Sequence, residues 1–129
     1  MVHTAPPKGV ARMREKMLEY APPHPQGRWP LSANILDPVR ASIVCHGSDQ
    51  VMQVARWFTE GEAETGLVVC RLKNTFSAAH DIQALAGYRD LKLFVLFEGA
   101  GGLRIIGEIQ IHDMQLYLLK LKVLSCFWL

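Results

Sequence analysis

The sequence carries almost no net charge, no closely spaced cysteines and no hydrophobic run long enough to cross a membrane. Fourteen Lys and Arg stand against twelve Asp and Glu, a formal balance of +2. No broad basic field is available to hold nucleic acid or an anionic membrane. Cys45, Cys70 and Cys126 are odd in number and far apart. They suggest neither a disulfide framework nor a CxxC zinc site, and the expectation is buried, reduced thiols in a reducing compartment, hence the cytoplasm. No apolar stretch reaches the roughly 18 residues a transmembrane helix needs. The most apolar stretch, Leu116 to Leu129, is interrupted by Lys120 and Lys122 and reads as a helix packed on the domain. The first residues, Met-Val-His-Thr-Ala-Pro-Pro, lack the apolar core of a signal peptide. Neither a GxxxxGK[ST] phosphate loop nor a GxSxG elbow occurs, and His3, His24, His46 and His112 do not form a spaced ligand set. Internal repeats and low-complexity segments are also lacking.

What is present fits one domain with its own core. The chain has 129 residues, half of them hydrophobic and a fifth charged. Val10 to Tyr20 has Met13, Met17 and Tyr20 at helical spacing, and Pro22, Pro23 and Pro25 stop that helix. Residues 22–33 read as a loop, so the expected division is 1–32 for the N-terminal helix and proline-rich loop and 33–129 for the main domain. Val39 to Cys45 is β-branched and apolar, a strand. Ser48 is placed as an N-cap, and Val51, Val54, Ala55 and Phe58 predict a helix over 49–59. Gly61 to Gly66 reads as a turn and Leu67 to Leu72 as a strand. Residues 74–87 are polar and irregular, with a helical turn possible over Ala78 to Leu85. Asp90 to Phe97 and Leu103 to Ile111 read as strands joined at Gly99-Ala100-Gly101-Gly102. His112 to Ser125 reads as a helix with Leu116, Leu119 and Val123 on one stripe. This order predicts an α/β (α+β) domain, a mixed sheet of about four strands flanked by helices.

Polar residues recur on alternate strand positions. Glu108 and Gln110 share one face of the last strand, opposite Ile109 and Ile111. Arg71 and Lys73 end the second strand, and Tyr88, Asp90 and Lys92 begin the third. A three-residue hairpin loop with a glycine bulge would oppose Lys92 to Glu108 and Asp90 to Gln110, gathering all five on one face. The plain alternative is a solvated polar face of a one-sided sheet. Individually, Asp37 before a proline could shape a turn, Glu108 could be half exposed, and Tyr88 could be core.

Four segments then resemble, in order, the motifs of the RelA/SpoT synthetase family. They are Ile35-Leu36-Asp37-Pro38-Val39-Arg40, Arg71-Leu72-Lys73-Asn74-Thr75-Phe76, Gly87-Tyr88-Arg89-Asp90-Leu91 and Gly107-Glu108-Ile109-Gln110-Ile111-His112. The resemblance covers roughly residues 33–123 and implies a nucleotidyltransferase-like fold. It also implies Mg²⁺-dependent transfer of pyrophosphate from ATP to the 3′-hydroxyl of GDP or GTP. On this resemblance Asp37 and Glu108 are the catalytic and metal-holding acids, and Tyr88 stacks on guanine. Gln110 orients the acceptor, while Arg40, Arg71 and Lys73 lie on phosphates. Lys92, placed among the nucleotide-binding residues, stands where the family has His. No clear basic run precedes Asp37: Arg12, Arg14 and Lys16 lie on the first helix, and the proline loop separates them from it. His80-Asp81 superficially resembles the metal dyad of the family's hydrolase domain but lacks its other ligands. The alternatives are a nucleotide-binding or scaffold module of the same fold without chemistry, or a relative acting on RNA ends, which the weak net charge does not favour.

Overall fold

A computed structural model of the chain describes residues 1–25, 27, 30–77 and 88–126. Its elements run β1 (Val2–Thr4), α1 (Val10–Glu19), β2 (Val39–Cys45), α2 (Ser48–Glu60), α3 (Glu62–Thr65), β3 (Leu67–Asn74), β4 (Leu91–Glu98), β5 (Arg104–Asp113) and α4 (Met114–Cys126). The described strands form one mixed sheet in the order β1-β2-β5-β4-β3. β2 and β5 pair in parallel, and the other neighbours are antiparallel. The parallel pair is joined by a crossover that includes α2, as a parallel connection requires.

α2 covers one face of the sheet. Its Val51, Ala55 and Phe58 pack on Cys45, Leu91, Leu93, Val95 and Ile111. Leu93 and Ile111 are fully buried there, on adjacent strands. The α/β expectation and the position of β2 hold, and the sheet gains a fifth strand, β1, that the sequence did not suggest. A three-residue edge strand is too short to show alternation; the Met1 amino group and backbone of β1 bond to β2 instead.

Three local readings change. The helix after β2 is capped by Gly47, not Ser48, because the chain turns there with φ 85°, a conformation open to glycine. The hairpin between β4 and β5 pairs Glu98 with Arg104, so residues 99–103 connect the strands, with Gly101 and Gly102 both at positive φ. Lys92 therefore opposes Gln110, and Phe94 opposes Glu108, two residues away from the expected register. A shift of two preserves the faces, so the polar set still gathers on one side. Third, His112 and Asp113 extend β5, and Asp113 caps α4 by accepting from the Gln115 and Leu116 amides. On α4, Leu119 is exposed while Lys120 turns inward toward Tyr88. The expected helical turn over Ala78 to Leu85, His80-Asp81, Gly87 and the side chain of Val123 lie outside the described residues.

β3 contains the irregularity that matters most for the polar face. In a regular strand Val69, Arg71 and Lys73 would share one side. The register shifts between Val69 and Arg71, so Val69 pairs with Val95 while Arg71 pairs with Phe94. The extra residue, Cys70, donates from Sγ to the Phe94 carbonyl at 3.1 Å. This bulge lets Val69 join the core and turns Arg71 and Lys73 to the opposite side.

Ile111→Ala is expected to destabilise the chain by about 2–5 kcal/mol, the cost of a core cavity at a site that cannot collapse. Urea unfolding checks this; a loss under about 1 kcal/mol would show that Ile111 is not the centre of the core.

Candidate functional site

The face of the sheet opposite α2 is polar. Parallel pairing puts Arg40 beside Glu108 and Ser42 beside Gln110, and antiparallel pairing adds Phe94 and Lys92 from β4. Lys73 pairs with Lys92 at the far side. Six residues expected from the sequence, Arg40, Arg71, Lys73, Lys92, Glu108 and Gln110, thus share one face. Glu108 and Gln110 are buried, and the Gln110 amide donates to Glu108 Oε1. The Arg71 guanidinium lies 5.7 Å from the Phe94 ring centroid.

Asp37 sits just before β2 and is brought to this face by the loop that returns from α1. It lines a cavity of about 270 Å³ together with Glu108, Lys16, Arg71, Lys73 and Lys92. Asn34, Leu36, Tyr20 and Phe94 complete its walls. The two carboxylates expected to cooperate therefore border one space. Lys8 Nζ lies 2.6 Å from Asp37 Oδ2, and Lys16 Nζ lies 3.0 Å from both oxygens. Partial burial pushes the Asp37 carboxyl up, but the hydrogen bonds and charges of Lys8 and Lys16 outweigh it and hold it below the ordinary range. Lys16 is affected in mirror image: burial lowers it, the bond to Asp37 raises it, and the net shift is upward. The proline loop does not keep the first helix away from Asp37; it folds α1 back upon it. Arg40 faces a second, larger cavity of about 430 Å³, lined also by Lys8, Arg12, Lys16 and Asp37.

Tyr88 is placed differently. It does not line the cavity of Asp37 and Glu108. Its hydroxyl meets His112 Nδ1, lies 3.4 Å from Asp90 Oδ2 and accepts from Lys120 Nζ at 3.3 Å. The Lys120 ammonium also stands 4.7 Å from the ring centroid. Asp90 is buried and held by Lys92 at 2.9 Å and by the Thr75 hydroxyl at 3.0 Å. Burial and the neighbouring Asp90 charge push the Tyr88 phenol up. Burial, then the Lys120 charge, depresses His112 to about 4. Its Nε2 is buried without a hydrogen-bond partner, as a neutral ring tolerates better than a charged one.

Lys8, Tyr20, Asn34 and Phe94 are wall or ligand residues that sequence reasoning did not assign to the site. One signal was present: Lys8, Arg12, Lys16 and Tyr20 recur every fourth residue. Among the described residues no cluster of three or more His, Cys, Asp or Glu is arranged to hold a metal, and no helix is long and apolar enough to cross a membrane.

His112 is depressed from 6.5 to about 4, so its neutral form stabilises the fold fully above pH 6.5, and that contribution is lost as pH falls toward 4. Urea midpoints measured between pH 7 and 4 are expected to fall in the native chain and to fall less in His112→Gln. Equal slopes in both would remove His112 as the source.

No family sequence model and no curated protein matches this chain. Solved structures do. The small alarmone synthetase 1 of Bacillus subtilis, bound to its product pppGpp, superposes with a TM-score of 0.72 at 20% identity. That match covers 99% of this chain and 62% of the other. The same protein in another crystal structure gives 0.69 at 22% identity, covering 97% and 60%. The protein smu.1046c of Streptococcus mutans UA159 gives 0.65 at 18%, covering 99% and 60%. The chain thus spans about three fifths of the length of these neighbours, and what it shares with them is the nucleotidyltransferase-like fold of the small alarmone synthetases.

Proposed function

We propose that this chain binds purine nucleotides at the Asp37–Glu108 cavity and transfers pyrophosphate from ATP to the 3′-hydroxyl of GDP or GTP. One observation carries the reading: two carboxylates border a single cavity with Lys16, Arg71, Lys73 and Lys92 around it. That donor set suits phosphoryl-type transfer, which depends on positioning and charge neutralisation more than on covalent help. The neighbour's complex with pppGpp supports the same class of ligand. In this reading residues 33–129 carry the transfer centre, and residues 1–32 add Lys8 and Lys16.

The acceptor 3′-oxygen attacks the β-phosphorus of ATP, and the bond from that phosphorus to the α–β bridging oxygen breaks. AMP leaves with the electron pair. The 3′-hydroxyl proton passes to the Glu108 carboxylate, which Gln110 orients by donating to its Oε1. Arg71, Lys73 and Lys92 hold phosphate oxygens, and Arg40 does so from the neighbouring cavity. Asp37 and Glu108 suit Mg²⁺, since both border the cavity and Asp37 already draws two cations. Bound there, the ion would neutralise charge developing on phosphate oxygens. Lys8 and Lys16 must then leave Asp37, and the polyphosphate offers them a new anion.

A second reading, nucleotide binding without transfer, is favoured by Lys120, whose ammonium covers the Tyr88 ring on which guanine would stack.

Label transfer from β,γ-labelled ATP to GDP decides between them. It should require Mg²⁺ and fall about 10²–10⁴-fold in Glu108→Gln, the range for loss of a general base. Asp37→Asn should fall comparably. Transfer surviving in both variants sinks the first reading; nucleotide binding by calorimetry with no transfer in the native chain establishes the second.

A further inference from the structure

Tyr20 caps the C-terminal end of α1 four residues after Lys16, which follows Arg12 by four, and Lys8 lies just before the helix. Positions four apart on a helix form a row along one side. This row borders both cavities: Arg12 and Lys16 line the larger one together with Lys8, while Lys16 and Tyr20 line the smaller. Lys16 and Asp37 belong to both, so the two spaces adjoin at that ion pair.

A transfer between two nucleotides brings two bases, and each needs a flat apolar surface. Tyr88 lies outside the smaller cavity and carries Lys120 over its ring. Phe94 carries Arg71 over its ring. Tyr20 meets His24 in an edge arrangement, with centroids 5.0 Å apart and planes at 67°, so neither ring lies flat on the other. Of the described aromatic residues in the smaller cavity, Tyr20 is therefore the one without a cation stacked on it.

We infer, on the strength of the nucleotide reading above, that Tyr20 is a base platform. The purine of a nucleoside triphosphate lies against Tyr20, and its phosphates run back along Lys16, Arg12 and Lys8. From Lys16 to Arg12 the row spans four residues, about 6 Å at helical rise, and Lys8 continues it from the segment before the helix. Arg40 faces the same cavity and adds a fourth positive charge, with Asp37 as the lining carboxylate. Arg12 already engages Glu15 at 2.6 Å, and its guanidinium keeps further donors for a phosphate. Tyr20 offers area and no reading of base edges, so it favours purines over pyrimidines without separating adenine from guanine.

Calorimetric titration of the full chain, with Mg²⁺ present, tests this using two probes: a non-hydrolysable ATP analogue and inorganic tripolyphosphate. Tyr20→Leu keeps an apolar side chain in place. It should weaken the analogue about tenfold or more, the usual loss when a base loses its aromatic partner, and leave tripolyphosphate within about twofold. Tyr20→Phe should bind the analogue like the native chain. Unchanged analogue affinity in Tyr20→Leu overturns the platform while the nucleotide reading stands. Equal weakening of both probes also overturns it, because Tyr20 would then act through the fold. If the native chain binds neither the analogue nor GDP, the nucleotide reading fails and the platform fails with it.

Discussion

β5 is paired on both sides, with β2 from Gly107 to Asp113 and with β4 from Arg104 to Ile111, and its register decides which side chains can meet. Parallel pairing with β2 sets Arg40 beside Glu108. Antiparallel pairing with β4 sets Phe94 beside the same glutamate and Lys92 beside Gln110. Because side chains alternate, one choice of parity sends Ile109 and Ile111 to the core under α2 and sends Glu108, Gln110 and His112 to the polar face. A slip of one residue would bury the carboxylate among apolar side chains and expose the isoleucines. The core and the candidate site are thus two consequences of one register, enforced by the cost of burying charge without partners.

Charge balance shapes the rest of that face. Asp37 meets two ammonium groups and Asp90 meets Lys92, each within about 3 Å, whereas buried Glu108 is met by the Gln110 amide. Arg71, Lys73 and Arg40 remain directed at cavities. Such an excess of cations costs stability by mutual repulsion and is the arrangement a polyanion would relieve. The His112–Tyr88–Asp90 cluster differs in kind. Its hydrogen bonds tie β5, α4 and the residues leading into β4 together, so it gives rigidity beside the site more than an open surface, with His112 Nε2 left unpaired among the described residues.

The N-terminal segment changes the character of the site. Its first residues extend the sheet as β1, and the stretch that follows delivers Lys8, just before α1, and Lys16, on it, to Asp37 across a gap of 29 and 21 residues in sequence. α1 buries none of its side chains fully, and Met13, Met17 and Tyr20 are half-buried. Its hold on the domain therefore depends heavily on these ion pairs, a coupling between the order of the segment and the charge on Asp37.

Local alternation and spacing were enough to read β2, the helix after it, the hairpin and the polar face of β5 from the sequence, because period and turn chemistry are properties of neighbouring residues. Even the displaced hairpin kept its faces, since the error was an even number of residues. The Cys70 bulge, the edge strand β1 and the return of α1 onto Asp37 were not legible. A bulge leaves no periodic mark, a three-residue strand is defined by its partner, and an ion pair between distant residues exists only once the chain has folded. The composition fixed which residues were able to form a site; long-range pairing decided that Asp37 meets Lys8 and Lys16, and that Tyr88 meets Lys120 and His112.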